Sequence, residues 1–152
     1  MKKSYKIGTW MLTNTPAGLD VISKSGFDFV CIDLEHSSIS YEDLNSLLII
    51  LDKNKVDSFV RVSSNNQTEI KKALDLGAKG IIVPMINNEA DAIKAVSYTY
   101  YPKKGQRGIG LSRAQGYGYN FKNYLKIANK IKLIFQIETV NAIQNLEKIL
   151  KV

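Results

Sequence analysis

Short apolar runs alternate with amphipathic stretches along this chain. Lys6 to Leu12 (KIGTWML) reads as a strand. Pro16 to Lys24 reads as a helix stopped by Gly26. Phe27 to Leu34 (FDFVCIDL) predicts a second strand. A Ser-x-x-Asp box, Ser40 to Asp43, then opens a helix whose Leu44, Leu47, Leu48 and Leu51 recur at helical spacing. Asp57 to Val62 is a third strand. Thr68 to Leu76 is a helix with Ile70, Ala73 and Leu74 inward and Gly77 at its end. Gly80 to Ile86 (GIIVPMI) is apolar throughout, as strands buried on both faces are. Glu89 to Tyr98 is the next helix.

The rhythm breaks at Pro102 to Asn120, a glycine-rich stretch without periodicity that reads as a long loop, expected to close over a site as a lid. A short helix near Phe121 to Lys130, a strand over Lys132 to Ile137 and a helix over Thr139 to Leu150 complete the chain. Val140, Ile143, Leu146 and Leu150 fall on one side of that last helix. Alternating β and α with buried strands predicts a parallel α/β sheet. A doubly wound sheet and a partial barrel both fit, and no dinucleotide fingerprint or phosphate-binding glycine loop is present.

Length narrows this. The chain has 152 residues, against about 200 or more for a complete (β/α)₈ barrel. If the pattern is a barrel, residues 1–152 form a single truncated barrel domain. The formal net charge is +7, but all but three of the 21 basic residues are lysines spread along the chain. That describes a solvated surface better than a nucleic-acid reader, which clusters arginine. A binding module using Lys103, Lys104, Arg107 and Arg113 is the competing idea. The scarce arginines, Arg61, Arg107 and Arg113, are expected to have particular tasks. The single cysteine, Cys31, lies in an apolar run and is expected to be buried. Met1-Lys2-Lys3 is not followed by an apolar core of signal-peptide length, and no run approaches a membrane span. A cytoplasmic protein without a membrane or nucleic-acid partner is expected.

Chemistry gathers where the strands end. One strand finishes Asp33-Leu34-Glu35-His36, another carries Arg61, and the last finishes Gln136-Ile137-Glu138. Asp33 and Glu35 share a side of their strand, as do Gln136 and Glu138. Parallel α/β folds bind ligands at the carboxyl ends of their strands. No lysine stands at these ends, which favours metal over Schiff-base chemistry.

These motifs resemble the HpcH/HpaI family of class II pyruvate aldolases. Gly8-Thr9-Trp10, Asp33-Leu34-Glu35-His36, Arg61-Val62, the run Ile70 to Ala78, Gly80 to Ile86, Tyr101-Pro102, Arg107-Gly108 and Gln136-Ile137-Glu138-Thr139 carry the likeness in order. The resemblance implies a (β/α)₈ barrel, of which this chain would supply about five βα units of eight. It also implies metal-dependent cleavage of 4-hydroxy-2-oxo acids to pyruvate and an aldehyde. Glu138 would bind a divalent metal, Mg²⁺ or Mn²⁺, with Co²⁺ a further candidate. Gln136 would contact substrate, Arg61 would hold the keto or enolate oxygen, and His36 would act in acid–base work with Asp33 beside it. Trp10 would line the site. Asp75 would reach a neighbouring subunit's histidine in a homo-oligomer, a hexamer in the full-length family. The family's second metal-binding Asp, in a Gly-Pro-x-Asp motif, is absent from these residues. An inactive barrel fragment and a citrate-lyase-type acyl-CoA lyase are the alternatives.

Overall fold

A computed structural model describes residues 5–152. The run Met1-Lys2-Lys3 lies outside the described residues. Five parallel strands form one sheet: β1 (Gly8–Met11), β2 (Phe29–Asp33), β3 (Asp57–Arg61), β4 (Gly80–Val83) and β5 (Lys132–Phe135). Between them run α1 (Pro16–Ser23), α2 (Tyr41–Lys53), α3 (Gln67–Asp75), α4 (Glu89–Thr99) and α5 (Phe121–Ile127), with α6 (Val140–Gln144) and α7 (Leu146–Ile149) after β5.

The strand order decides between the two topologies left open. It is β1-β2-β3-β4-β5, each unit adding the next strand on the same side. A doubly wound sheet would reverse direction. This sheet winds as a barrel does.

The helices are placed by their caps. Ser40 and Asp43 close the expected capping box on α2, and Leu44, Leu47, Leu48 and Leu51 are all buried. Asn66 caps α3 and Asn88 caps α4 through their side-chain oxygens. The apolar stripes of these helices meet one face of the sheet, where Val30, Ile32, Val60, Ile81 and Val83 are fully buried.

The other face is the inside of the curl. Register sets Trp10, Cys31 and Phe59 in one row and Asp33, Arg61, Ile82 and Ile134 in the next. Large and small residues alternate there. A Cβ on Gly80 would fall 2.4 Å from the Phe59 ring, and one on Gly8 would fall 2.2 Å from the Phe29 ring. Glycine at these two positions leaves room for the rings, which meet edge to face at 5.2 Å. Cys31 is buried here, and burial pushes its thiol up to about 12.

Two expectations change. The last helix is two short helices separated at Asn145. Val140, Ile143 and Leu150 are exposed, while Ala142 and Ile149 face in. Thr139 bonds the Asn87 side chain and caps Ala142, and Asn145 Nδ2 donates to the Asn87 carbonyl at 3.2 Å. These tethers set the roll of the segment, and small Ala142 takes the inner position.

The glycine-rich loop is not a lid over the strand ends. It joins α4 to β5, so it lies at the amino ends of the strands. Arg113 ties it there: Nε donates to the Leu76 carbonyl at 2.6 Å and Nη1 to Asp52 at 2.8 Å. Arg107 and Gln115 within it are buried. A binding module built on Arg107 and Arg113 therefore loses both arginines to internal partners. Among the described residues, no helix is long and apolar enough to cross a membrane.

Candidate active site

Asp33 and Arg61 are paired residues on adjacent strands. Arg61 Nε donates to Asp33 Oδ1 at 2.9 Å and Nη2 to Oδ2 at 2.6 Å. Asp33 is fully buried and also accepts the backbone N–H groups of Glu35 at 3.0 Å and His36 at 3.3 Å. Burial alone would raise its carboxyl. The Arg61 hydrogen bonds and those two N–H groups outweigh burial and hold it below the usual carboxylate range. With four donors on two oxygens, Asp33 serves to position its neighbours. It aims the guanidinium and shapes the turn that carries Glu35 and His36.

Asp33 occupies Nε and Nη2, which leaves Nη1 as the forward-facing nitrogen of Arg61. Nη1 lies 3.2 Å from Glu35 Oε2 and 3.5 Å from Gln136 Oε1. The Trp10 ring covers the guanidinium at 4.7 Å. Gln136 Nε2 in turn donates to Glu138 Oε2 at 2.6 Å. The backbone N–H of Met85 donates to Glu138 Oε1 at 2.8 Å. Met85 follows Pro84 with φ of 56°, left-handed backbone that an L side chain rarely takes. That turn directs its N–H at Glu138.

The structure thus brings together Trp10, Asp33, Arg61, Gln136 and Glu138 from β1, β2, β3 and the end of β5. His36 stands beside them, 70% exposed, with Nε2 3.8 Å from Glu35 Oε2. Asp75 is elsewhere. It ends α3 near the amino end of β4, where Arg107 Nη2 donates to its Oδ1 at 2.6 Å.

Glu35 and Met85 had no assigned role in the sequence. Glu35 Oε2 is buried without a hydrogen-bond partner, between Arg61 and His36. Its position two residues after Asp33 was the available signal. Nothing in an apolar strand marks Met85, whose backbone alone takes part.

The cluster carries three carboxylates, Asp33, Glu35 and Glu138, against one guanidinium. Oxygen donors and surplus negative charge suit a hard divalent cation. The ligand count falls short: among the described residues, no three of His, Cys, Asp and Glu stand close enough to hold a metal. Glu138 would supply one oxygen ligand of an incomplete set.

Parallel strands wound in sequential order, with an Asp-held arginine and carboxylates at their carboxyl ends, define a barrel-type enzyme scaffold. A family model for HpcH/HpaI aldolase/citrate lyase matches residues 6–152, and the chain belongs to that family. A Pseudomonas putida 2-dehydro-3,6-dideoxy-6-sulfogluconate aldolase is 36% identical over 97% of this chain and 58% of its own length. A Salmonella typhi 2-keto-3-deoxy-L-rhamnonate aldolase is 34% identical over 99% of this chain and 57% of its own. An HpcH/HpaI family protein from Burkholderia cenocepacia J2315 superposes with a TM-score of 0.88 at 29% identity, over 95% of this chain and 59% of that one. The citrate synthase SbnG superposes with a TM-score of 0.85 at 29% identity, over 97% and 57%. The chain spans somewhat over half the length of the curated relatives it matches.

Proposed function

We propose that this chain carries the pyruvate-handling part of an aldolase site that cleaves 4-hydroxy-2-oxo acids to pyruvate and an aldehyde. The observation that carries the reading is the aimed guanidinium. Asp33 fixes two of its nitrogens and turns the third, Nη1, toward the ends of β2 and β5. The names of the two aldolases support the substrate class, since both describe 2-oxo acids with a deoxygenated third carbon. Breaking the bond beyond that carbon releases pyruvate.

In that cleavage a proton leaves the C4 hydroxyl and the C3–C4 bond breaks. Its electron pair forms the C2=C3 double bond, and charge develops on the former keto oxygen. Arg61 Nη1 meets that oxygen and binds it more tightly as charge grows. His36, exposed at the mouth of the cluster, takes the hydroxyl proton through water, and a proton returned to C3 gives pyruvate. Gln136 orients the substrate carboxylate and Trp10 shields the guanidinium from water. A divalent cation, Mg²⁺ or Mn²⁺, bound by Glu138 together with ligands beyond those gathered here would supply Lewis acidity to the same oxygen. We further read the working protein as a cytoplasmic homo-oligomer in which a second copy brings Asp75 toward the first copy's His36.

The test is pyruvate release from a 4-hydroxy-2-oxo acid, with Mg²⁺ or Mn²⁺ and with EDTA. EDTA-sensitive release supports the reading. No release under any of these conditions rejects it, and dependence on coenzyme A would favour acyl-CoA lyase chemistry.

A further inference from the structure

A basic pocket lies at the opposite end of the sheet from Arg61. A cavity of about 440 Å³ is bounded there by Lys79, Arg113, Lys130 and Lys132 and by Asp52 and Asp57. Its floor is apolar, with Ala78, Ile127 and Ala128.

The charges do not balance. Asp57 faces Lys132 at 3.5 Å, Lys6 at 3.6 Å and Lys79 at 3.9 Å. Asp52 faces Arg113 at 2.8 Å and Lys79 at 3.7 Å. Lys130 has no ion-pair partner among the described residues. Four lining cations thus face two carboxylates, with Lys6 a further neighbour of Asp57 outside the lining, and every lysine distance is longer than the usual N–H···O bond. Their ammonium donors stay available, and the surplus charge repels itself.

Arg113 adds a fixed charge to the wall of the cavity. Arg113 Nη2 is buried and makes no hydrogen bond. It lies against Gly77, where an added Cβ would come within 2.6 Å of it. Gly77 has φ of 99°, so glycine is required there for backbone and space alike.

We propose that this cavity binds a small organic oxyanion, a phosphate or carboxylate carried on an apolar body. The oxyanion meets the ammonium groups of Lys79, Lys130 and Lys132 and relieves their repulsion. The apolar body lies on the alanine and isoleucine floor. The site is independent of the aldolase reading, since none of its residues belongs to the Arg61 cluster.

Thermal melting of this chain tests it with inorganic phosphate, phenyl phosphate and benzoate, each against sodium chloride at equal ionic strength. A saturable rise of about 3 °C or more is expected for phenyl phosphate beyond the chloride control. Its half-saturation should be about tenfold lower than that of inorganic phosphate, because the ring buries apolar area. Lys130→Gln, an exposed change, should weaken the response, and Lys79→Gln should weaken it further. Comparison with benzoate tells which oxyanion is preferred. A rise that only matches chloride overturns the proposal, as does a phenyl phosphate response unchanged in both variants.

Discussion

Arg61 and Asp33 stand side by side on neighbouring parallel strands and close a two-point ion pair, with Nη2 to Oδ2 at 2.6 Å. Asp33 is buried and also holds the turn to His36. Asp33→Asn should therefore destabilise the fold by about 3 kcal/mol, because it breaks the two-point pair of a largely buried Arg61 and leaves Glu35 as its one charged partner there. The urea midpoint checks this. A variant as stable as the parent would show that the pair is dispensable to folding.

The same pair sets an acid limit. Asp33 is held below its ordinary value, so its contribution is fully present above the unfolded carboxylate pKa of about 4. It is lost as pH falls through the lower folded-state value. Urea midpoints measured from pH 6 to pH 2 should fall for the parent, and less steeply for Asp33→Asn. Parallel slopes would place the acid sensitivity in other carboxylates, such as Asp20 and Asp43, which are also held low.

Gly80→Ala should cost about 1–3 kcal/mol through overpacking, since the new Cβ would sit 2.4 Å from the Phe59 ring. Combining it with Phe59→Leu should recover part of the loss. A neutral Gly80→Ala in thermal melts would mean that the inner face is more loosely packed than this arrangement requires.

Arg107 is 1% exposed and is held by Asp75, by the Tyr124 hydroxyl at 3.3 Å and by the Tyr101 ring at 4.7 Å. Burial pushes the Tyr101 hydroxyl up to about 12, so it stays protonated beside the guanidinium. Arg107→Lys keeps the charge and loses the planar fork. It should destabilise by about 3 kcal/mol, and a double-mutant cycle with Asp75→Asn should show coupling. Additive effects would separate Asp75 from Arg107.

Much of this architecture was readable from residue pattern. The capping box at Ser40 and the leucines of α2 behave as their spacing implies. All three arginines, scarce in a lysine-rich chain, proved to grip an aspartate: Asp33, Asp75 or Asp52. The order of the strands was not readable from periodicity, which records which residues are buried and not which strands are neighbours; the family resemblance supplied the barrel. The glycine-rich loop was misplaced although the element order held the answer. A helix-to-strand connection in such a sheet lies at the amino ends of the strands. In the last helix, apolar spacing pointed to Val140 and Ile143, and the polar tethers of Asn87, Thr139 and Asn145 turned that face outward. The Met85 N–H contributes to the site through backbone geometry, which no side-chain pattern reports.

Glu35 is the carboxylate of the cluster that the resemblance left without a task. Its Oε2 lies between Arg61 Nη1 and His36 Nε2. Glu35→Gln should lower kcat about tenfold or more with KM within about twofold, since the lost charge matters as His36 takes up a proton. Glu35→Asp should restore part of it. A change confined to KM would instead make Glu35 a substrate-binding group.

The central claim is that Arg61 faces the oxygen of a pyruvate enolate. The most direct measurement is hydrogen–deuterium exchange at the pyruvate methyl group, followed by NMR in D₂O with Mg²⁺ or Mn²⁺, for the parent and for Arg61→Lys. The account predicts catalysed exchange in the parent and a loss of about a hundredfold in the variant, because lysine cannot hold the two-point pair with Asp33 and still present a donor. Exchange in the parent no faster than in buffer, or exchange unchanged in Arg61→Lys, would contradict it.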